Sequence, residues 1–306
     1  MSNSFLKESK LYIVYGGDGD KHRTFTSSAL DFSQTFAQES YPVKTLHDQT
    51  KMLEGATITT ANAVDFSFDV PLTKEKKESH VIDILTNLNT SQQLTKFDAY
   101  IVTGAATFKL ENAIITAGDL DISPNSQFTV RLQGQATKLE KVGNESYTIP
   151  GTLQSVGTSR TPILVYPVVS INGTDVTNII STTINIQNEI TWLEYETLQK
   201  SLLVTNASNI MRPSDYVVEK RTVSGAVVQY QTDNNINNYD DFSTTTNIIL
   251  KAIEVGDTAS ATPFLQIQLN PASYIARMAV GDVYTQSYDF NSLDNTALGT
   301  SITQYS

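Results

Sequence analysis

Alternation is the feature that most constrains this chain. Apolar and polar residues alternate along most of its 306 residues, in stretches dominated by Thr, Ser, Val, Ile, Tyr and Phe. A period of two sends one set of side chains to a buried face and the other to water, and these residue types suit a pleated, half-buried surface. The fold class expected is mainly β, with a length that admits two tandem units, residues 1–148 and 149–306.

The pattern is sharpest in two places. Leu30, Phe32 and Phe36 alternate with Asp31, Ser33 and Thr35. Val64, Phe66, Phe68 and Val70 stand opposite Ala63, Asp65, Ser67 and Asp69, and Pro71 ends that strand by removing a ladder donor. Both strands thus carry carboxylates on their polar side. The opening reads as a hairpin: a strand from Lys10 to Gly16, the turn Gly16-Gly17-Asp18-Gly19-Asp20, and a second strand over Arg23–Gln38. Between that strand and the one ending at Pro71 lies a long connection, Glu39–Ala56, which reads as a loop that reaches a partner. After Pro71, Thr73 is placed to cap a helix whose apolar stripe is Val81, Ile84, Leu85 and Leu88. Strands resume at Ala99–Thr103, Glu111–Ile122 and Gln127–Leu139.

The second half runs through a similar order. Ile184-Asn-Ile-Gln takes the place of Leu30-Asp-Phe-Ser, Val217–Tyr230 that of Thr57–Val70, and Gly281-Asp282 that of Gly118-Asp119. A helix is expected at Ser243–Val255, although its Ile-Ile-Leu run also suits a strand. Strands follow at Ser273–Tyr284 and Gln286–Leu293. One flanking helix per unit is therefore expected.

Composition narrows the function. The absence of cysteine excludes disulfides, thiolate metal sites and a cysteine nucleophile. A net charge of −11 opposes binding to polyanions by counterion release. No apolar run approaches the roughly 18 residues of a membrane span, and the start reads as that of a product not exported by the general route. His22, His47 and His80 lack metal-ligand spacing. The Gly16–Asp20 stretch departs from a calcium loop and reads as a turn. No nucleophile elbow, phosphate loop or His-Glu-x-x-His helix occurs. Asp31, Asp65, Asp69, Asp119 and Asp121 read as solvated sheet-face charges rather than an acid–base set. Trp192 fits core packing and intersubunit contact equally well. The reading is a non-enzymatic structural protein with no cofactor and no metal.

The opening Leu6-Lys-Glu-Ser-Lys-Leu-Tyr-Ile-Val, the strand Ala63-Val-Asp-Phe-Ser-Phe and Phe128-Thr-Val-Arg-Leu-Gln-Gly resemble the duplicated-domain major tail tube proteins of T-five-type siphophages. In the second half Asn185-Ile-Gln-Asn-Glu-Ile-Thr-Trp-Leu and Ala279-Val-Gly-Asp-Val carry the resemblance. It spans nearly the whole chain. It implies two tail-tube-fold domains whose inner sheets join those of neighbours into trimeric, pseudo-sixfold rings, stacked into a channel for viral DNA. On that reading Asp31, Asp65, Asp69, Asp119, Asp121 and Arg131 face the lumen. Tyr41, Lys44, His47, Asp48, Lys51 and Glu54 belong to the ring-stacking loop, and Trp192 is an intersubunit aromatic. The implied partners are further copies of the chain, the tape measure, tail terminator and baseplate or tip proteins. DNA passes without specific binding, and the protein is made in the host cytoplasm and ends in the virion tail. Two alternatives stand beside this: another tube-fold assembly protein, such as a secretion-type tube or baseplate component, and a virion-attached carbohydrate-binding sandwich, to which only Trp192 points.

Overall fold

The computed structural model describes residues 9–15, 21–25, 27–43, 53–75, 77–123, 126–153, 161–193, 209–235, 240–258 and 261–304. In the first half these form β1 Lys10–Val14, β2 Lys21–Phe25, β3 Ala29–Ser33, β4 Phe36–Val43, β5 Leu53–Ala61, β6 Val64–Pro71, helix α1 Lys77–Thr86, β7 Phe97–Val102, β8 Thr107–Ile122, β9 Ser126–Gln127, β10 Thr129–Ala136 and β11 Lys138–Gly143. The second half follows with β12 Thr152–Leu153, β13 Leu164–Ile171, β14 Thr174–Asp175, β15 Ile179–Leu193, β16 Asp215–Tyr230, β17 Phe242–Glu254, β18 Leu265–Val280, β19 Tyr284–Ser292 and β20 Thr300–Gln304. The chain is mainly β, as its alternation demands.

Two long strands each serve two layers. The first part of β8 pairs with β7 and β11, while its later part pairs with β10 and, over Ala117–Ile122, with β15. In the second half β18 behaves alike: Leu265–Leu269 lies between β17 and β20, and Ala272–Val280 runs along β19. The outer layers are therefore β2-β1-β7-β8-β11 and β13-β17-β18-β20. The inner layer is one antiparallel sheet, β3-β6-β10-β8 continuing directly into β15-β16-β19-β18. The same pairing order thus occurs twice, joined by β8 against β15.

The core lies between the layers. Ile13, Ile101 and Leu110 meet Phe66, Phe68, Leu120 and Leu132, and one cluster continues through Ile184, Val223, Leu250, Ile267, Tyr288 and Phe290. Each fully buried side chain of this size contributes about 1.5–3 kcal/mol. Two glycines permit close approach in equivalent layers. A Cβ at Gly134 would strike the Ile114 carbonyl and the Phe66 ring, and one at Gly225 the Thr183 carbonyl and the Phe290 ring.

Several expectations are corrected. The strand expected over Arg23–Gln38 is divided among β2, β3 and β4, because each piece pairs with a different strand, β1, β6 and β5 in turn. The connection Glu39–Ala56 is not a simple loop: β4 and β5 form a separate two-stranded sheet, from Phe36 opposite Ala61 to Val43 opposite Leu53. Thr73 precedes the helix by too much to cap it. Its N–H and hydroxyl instead donate to the buried Glu78 carboxylate at 3.3 and 3.0 Å. The helix buries Val81, Ile82 and Leu85. The second expected helix is strand β17, whose Ile248, Leu250 and Ala252 alternate into the core. β-Branched residues at that period favour the sheet. Gly281-Asp282 lies beyond β18, not within a strand as Gly118-Asp119 does. Matching Thr57–Val70 residue by residue to Val217–Tyr230 sets buried Phe68 on Val228, yet the buried positions nearby are Val223, Val227 and Gln229.

Candidate functional site

The face of the inner sheet turned away from the core gathers the sequence-derived candidates. Across successive strands Ala29, Asp69, Arg131, Asp119, Asn185 and Ser224 stand opposite one another, and Asn291 and Ser273 complete the row. A second row runs Asp31, Ser67, Gln133, Ala117, Gln187 and Thr222. A third passes through Thr129, Asp121, Thr183, Ala226 and Asp289. Asp65 stands between Ser33 and Gln135. Asp31, Asp65, Asp69, Asp119, Asp121 and Arg131 therefore share one face. This follows from strand parity, since core-facing Phe66, Phe68, Leu120, Val130 and Leu132 each have a polar neighbour on both sides.

The face continues through Glu189 and through three residues the sequence reading did not single out, Lys220, Arg277 and Asp289. Their parity was open to inspection, but their register against the first half was not. Opposite charges sit close without forming tight buried pairs. Arg277 Nε lies 2.9 Å from Asp289, Lys220 Nζ 3.8 Å from Glu189, and Arg131 Nε 3.9 Å from Asp69. Exposed pairs of this kind contribute at most about 1 kcal/mol. The two halves differ in chemistry: carboxylates concentrate on β3, β6 and β8, whereas β15, β16 and β19 present mainly hydroxyls and amides. A depression of about 440 Å³ in the first half is lined by Asp31, Ser33, Asp65, Ser67, Gln133 and Gln135. Among the described residues no cluster of His, Asp or Glu is arranged to hold a metal ion.

Trp192 lies in β15, half-buried. Its indole N–H donates to Gln135 Oε1 at 2.8 Å, and Gln135 in turn donates to Asp65 Oδ1 at 2.9 Å. The ring also meets Tyr216 edge-on at 5.7 Å. Within the chain this aromatic fastens β15 to β10. Tyr41 and Glu54 fall in strands β4 and β5, in the pairs Tyr41–Gly55 and Pro42–Glu54. Lys44, His47, Asp48 and Lys51 lie outside the described residues.

The perturbed titratable groups sit elsewhere and serve the fold. Burial pushes Asp83 on α1 up to about 6, against the hydrogen bond from Asn87. Burial also lowers Arg221 to about 10, where its Nη2–H donates to the Thr86 carbonyl at 2.8 Å. That cation closes the C-terminal end of α1, where the helix dipole favours it.

A broad, solvated, mixed-charge face on one continuous sheet is a wall rather than a pocket. A sequence profile of the bacteriophage baseplate tube protein family matches residues 1–300. The chain belongs to that family. No curated protein matches it as a relative. Membership makes the chain a structural component of a phage tail or baseplate tube, and so of the virion. The baseplate alternative weighed from the sequence is thereby brought forward beside the T-five-type major tail tube.

Proposed function

We propose that copies of this tube protein close into rings whose inner sheet forms a channel wall, with the polar face turned to the lumen. The observation that carries this reading is the inner sheet itself, in which one pairing order is repeated and one polar face runs from β3 to β18. Two such units per chain suit a ring of three copies with pseudo-sixfold symmetry. Closure also disposes of sheet edges that would otherwise template aggregation. The family's name favours a place at the baseplate end of the tube, where the ring would meet other tail tube, tape measure and tip proteins.

In this arrangement Asp31, Asp65, Asp69, Asp119 and Asp121 repel DNA phosphates close to the wall, within a Debye length of about 8–10 Å. Arg131, Lys220 and Arg277 moderate that field, so DNA slides past without being held. The β4–β5 hairpin stands as its own sheet and serves as a contact between stacked rings. Trp192 stiffens the wall at the joint of the two units. Negative-stain electron microscopy of the purified protein tests the reading: hollow rings or striated tubes with three copies per ring support it, and a persistent monomer at high concentration rejects it.

A further inference from the structure

Within the inner sheet the two halves of the chain meet along one short ladder, Ala117–Ile122 of β8 against Thr182–Gln187 of β15. Behind that ladder runs a second connection that the repeated pairing order does not account for. The stretch Leu72–Lys96 between β6 and β7 is more than twice as long as Gln231–Asp241, which joins the corresponding strands β16 and β17. It holds α1 and the loop after it, and its side chains reach across the joint.

Asn87, the residue after α1, lies against β20 of the second half and imitates a strand. Its Nδ2–H donates to the Ile302 carbonyl at 2.6 Å, and its Oδ1 accepts from the Ile302 N–H at 3.1 Å. Among the described residues β20 pairs with β18 alone, so this amide covers its other edge. Three more bonds cross in the same region. Arg221 Nη2–H donates to the Thr86 carbonyl at 2.8 Å, the Ala297 N–H to Gln92 Oε1 at 2.9 Å, and the Tyr216 hydroxyl to the Leu94 carbonyl at 2.7 Å.

Arg221 separates stability from positioning. It is buried, and its Nε and Nη1 find no acceptor among the described residues. A buried cation with unsatisfied donors is a poor source of stability, and an apolar side chain of similar volume is often neutral or better in its place. What the apolar side chain does not supply is direction. The guanidinium fixes where the end of α1 stands relative to β16.

We infer that Thr86–Leu94 is a clasp that holds the two halves of the chain at one fixed angle. The ladder alone leaves that angle loose, because neighbouring strands in sheets differ in twist by about 10–35°. The clasp belongs to the first half: Gln231–Asp241 is too short for a ten-residue helix and a loop that returns across a joint. Each chain is then a stiff double segment. Carried into the ring proposed above, and resting on that reading, this builds the curvature of the wall into the chain itself.

The chain has no cysteine, so two spin labels can be introduced without background. Lys141→Cys on β11 and Asp175→Cys on β14 place one label at an exposed position of each half. Dilution with excess unlabelled chain confines the distances to one copy. Double electron–electron resonance is expected to give one narrow distance in the parent and a broadened or multiple distribution in Asn87→Ala with Arg221→Met. Arg221→Met alone should melt at or above the parent's temperature. Amide exchange supplies a second readout: Ile302 should lose protection in Asn87→Ala while Ile267 on β18 keeps it. A folded double variant that keeps the narrow distance overturns the clasp. If only the double variant fails to fold, Arg221→Met is read by the same criterion, and an Arg221→Met chain that does not fold overturns the positioning role. The distance is read within one copy, so a chain that forms no rings sinks the ring reading and leaves the clasp standing.

Discussion

The joint between β8 and β15 and the free end of β18 occupy corresponding places in the two halves, yet one is sealed and the other bare. Leu120 and Ile122 lie under a neighbouring strand, whereas Met278 and Val280 stand in water on what is otherwise the core side. An apolar face that stops at an open edge suits a further strand, and among the described residues β3 forms the other edge of the same sheet. A pairing order that joins to itself once within the chain and leaves one edge over at each end fits the ring proposed above.

The largest effect is expected from breaking the sealed joint. Leu120→Ala should lower the stability of the isolated chain by about 2–5 kcal/mol, read by chemical denaturation. Met278→Ala should leave it within about 0.5 kcal/mol, because no neighbour in the monomer encloses it. Equal losses at the two positions would show that the edges do not differ. The glycines under aromatic rings come next: Gly134→Ala and Gly225→Ala should each cost about 1–3 kcal/mol by overpacking, since backbone carbonyls confront the new methyl group. A large loss in one half alone would count against structural equivalence of the repeats.

The smallest effect concerns α1, an element only the first half shows among the described residues. The folded-state value of Asp83, about 6, lies above its ordinary 3.8, so the native state holds the proton more tightly. Stability should therefore fall as pH rises from about 4 to 6 and level off above 6. Asp83→Asn should remove that slope and raise the unfolding midpoint at pH 7.5 but not at pH 3.5, in thermal melts across the range.

Much of the wall was legible beforehand because it depends on parity alone. Alternation puts Asp31, Asp65 and Asp69 on the polar side of their strands, and the pairing gathers them with Asp119, Asp121 and Arg131 on one face. What parity does not carry is register. The bulge between Glu189 and Ile190, where β16 supplies the extra residue Glu219, shifts one strand by one position against its partner. A residue-by-residue match of the halves therefore crosses from one face to the other. The hairpin of β4 and β5 was hidden because Pro42, Gly55 and mixed charges look like a loop. The Ile248–Leu250 run was ambiguous because three consecutive apolar residues fit a helix and a buried strand alike.

The central claim is that one polar face, shared by both halves and continued between copies, lines a closed channel. Electron cryomicroscopy of the assembled protein tests it most directly. The account predicts a ring of three copies with Asp69, Arg131, Asp119, Asn185 and Ser224 on the lumen wall. A closed assembly with that row on its outer surface would contradict it.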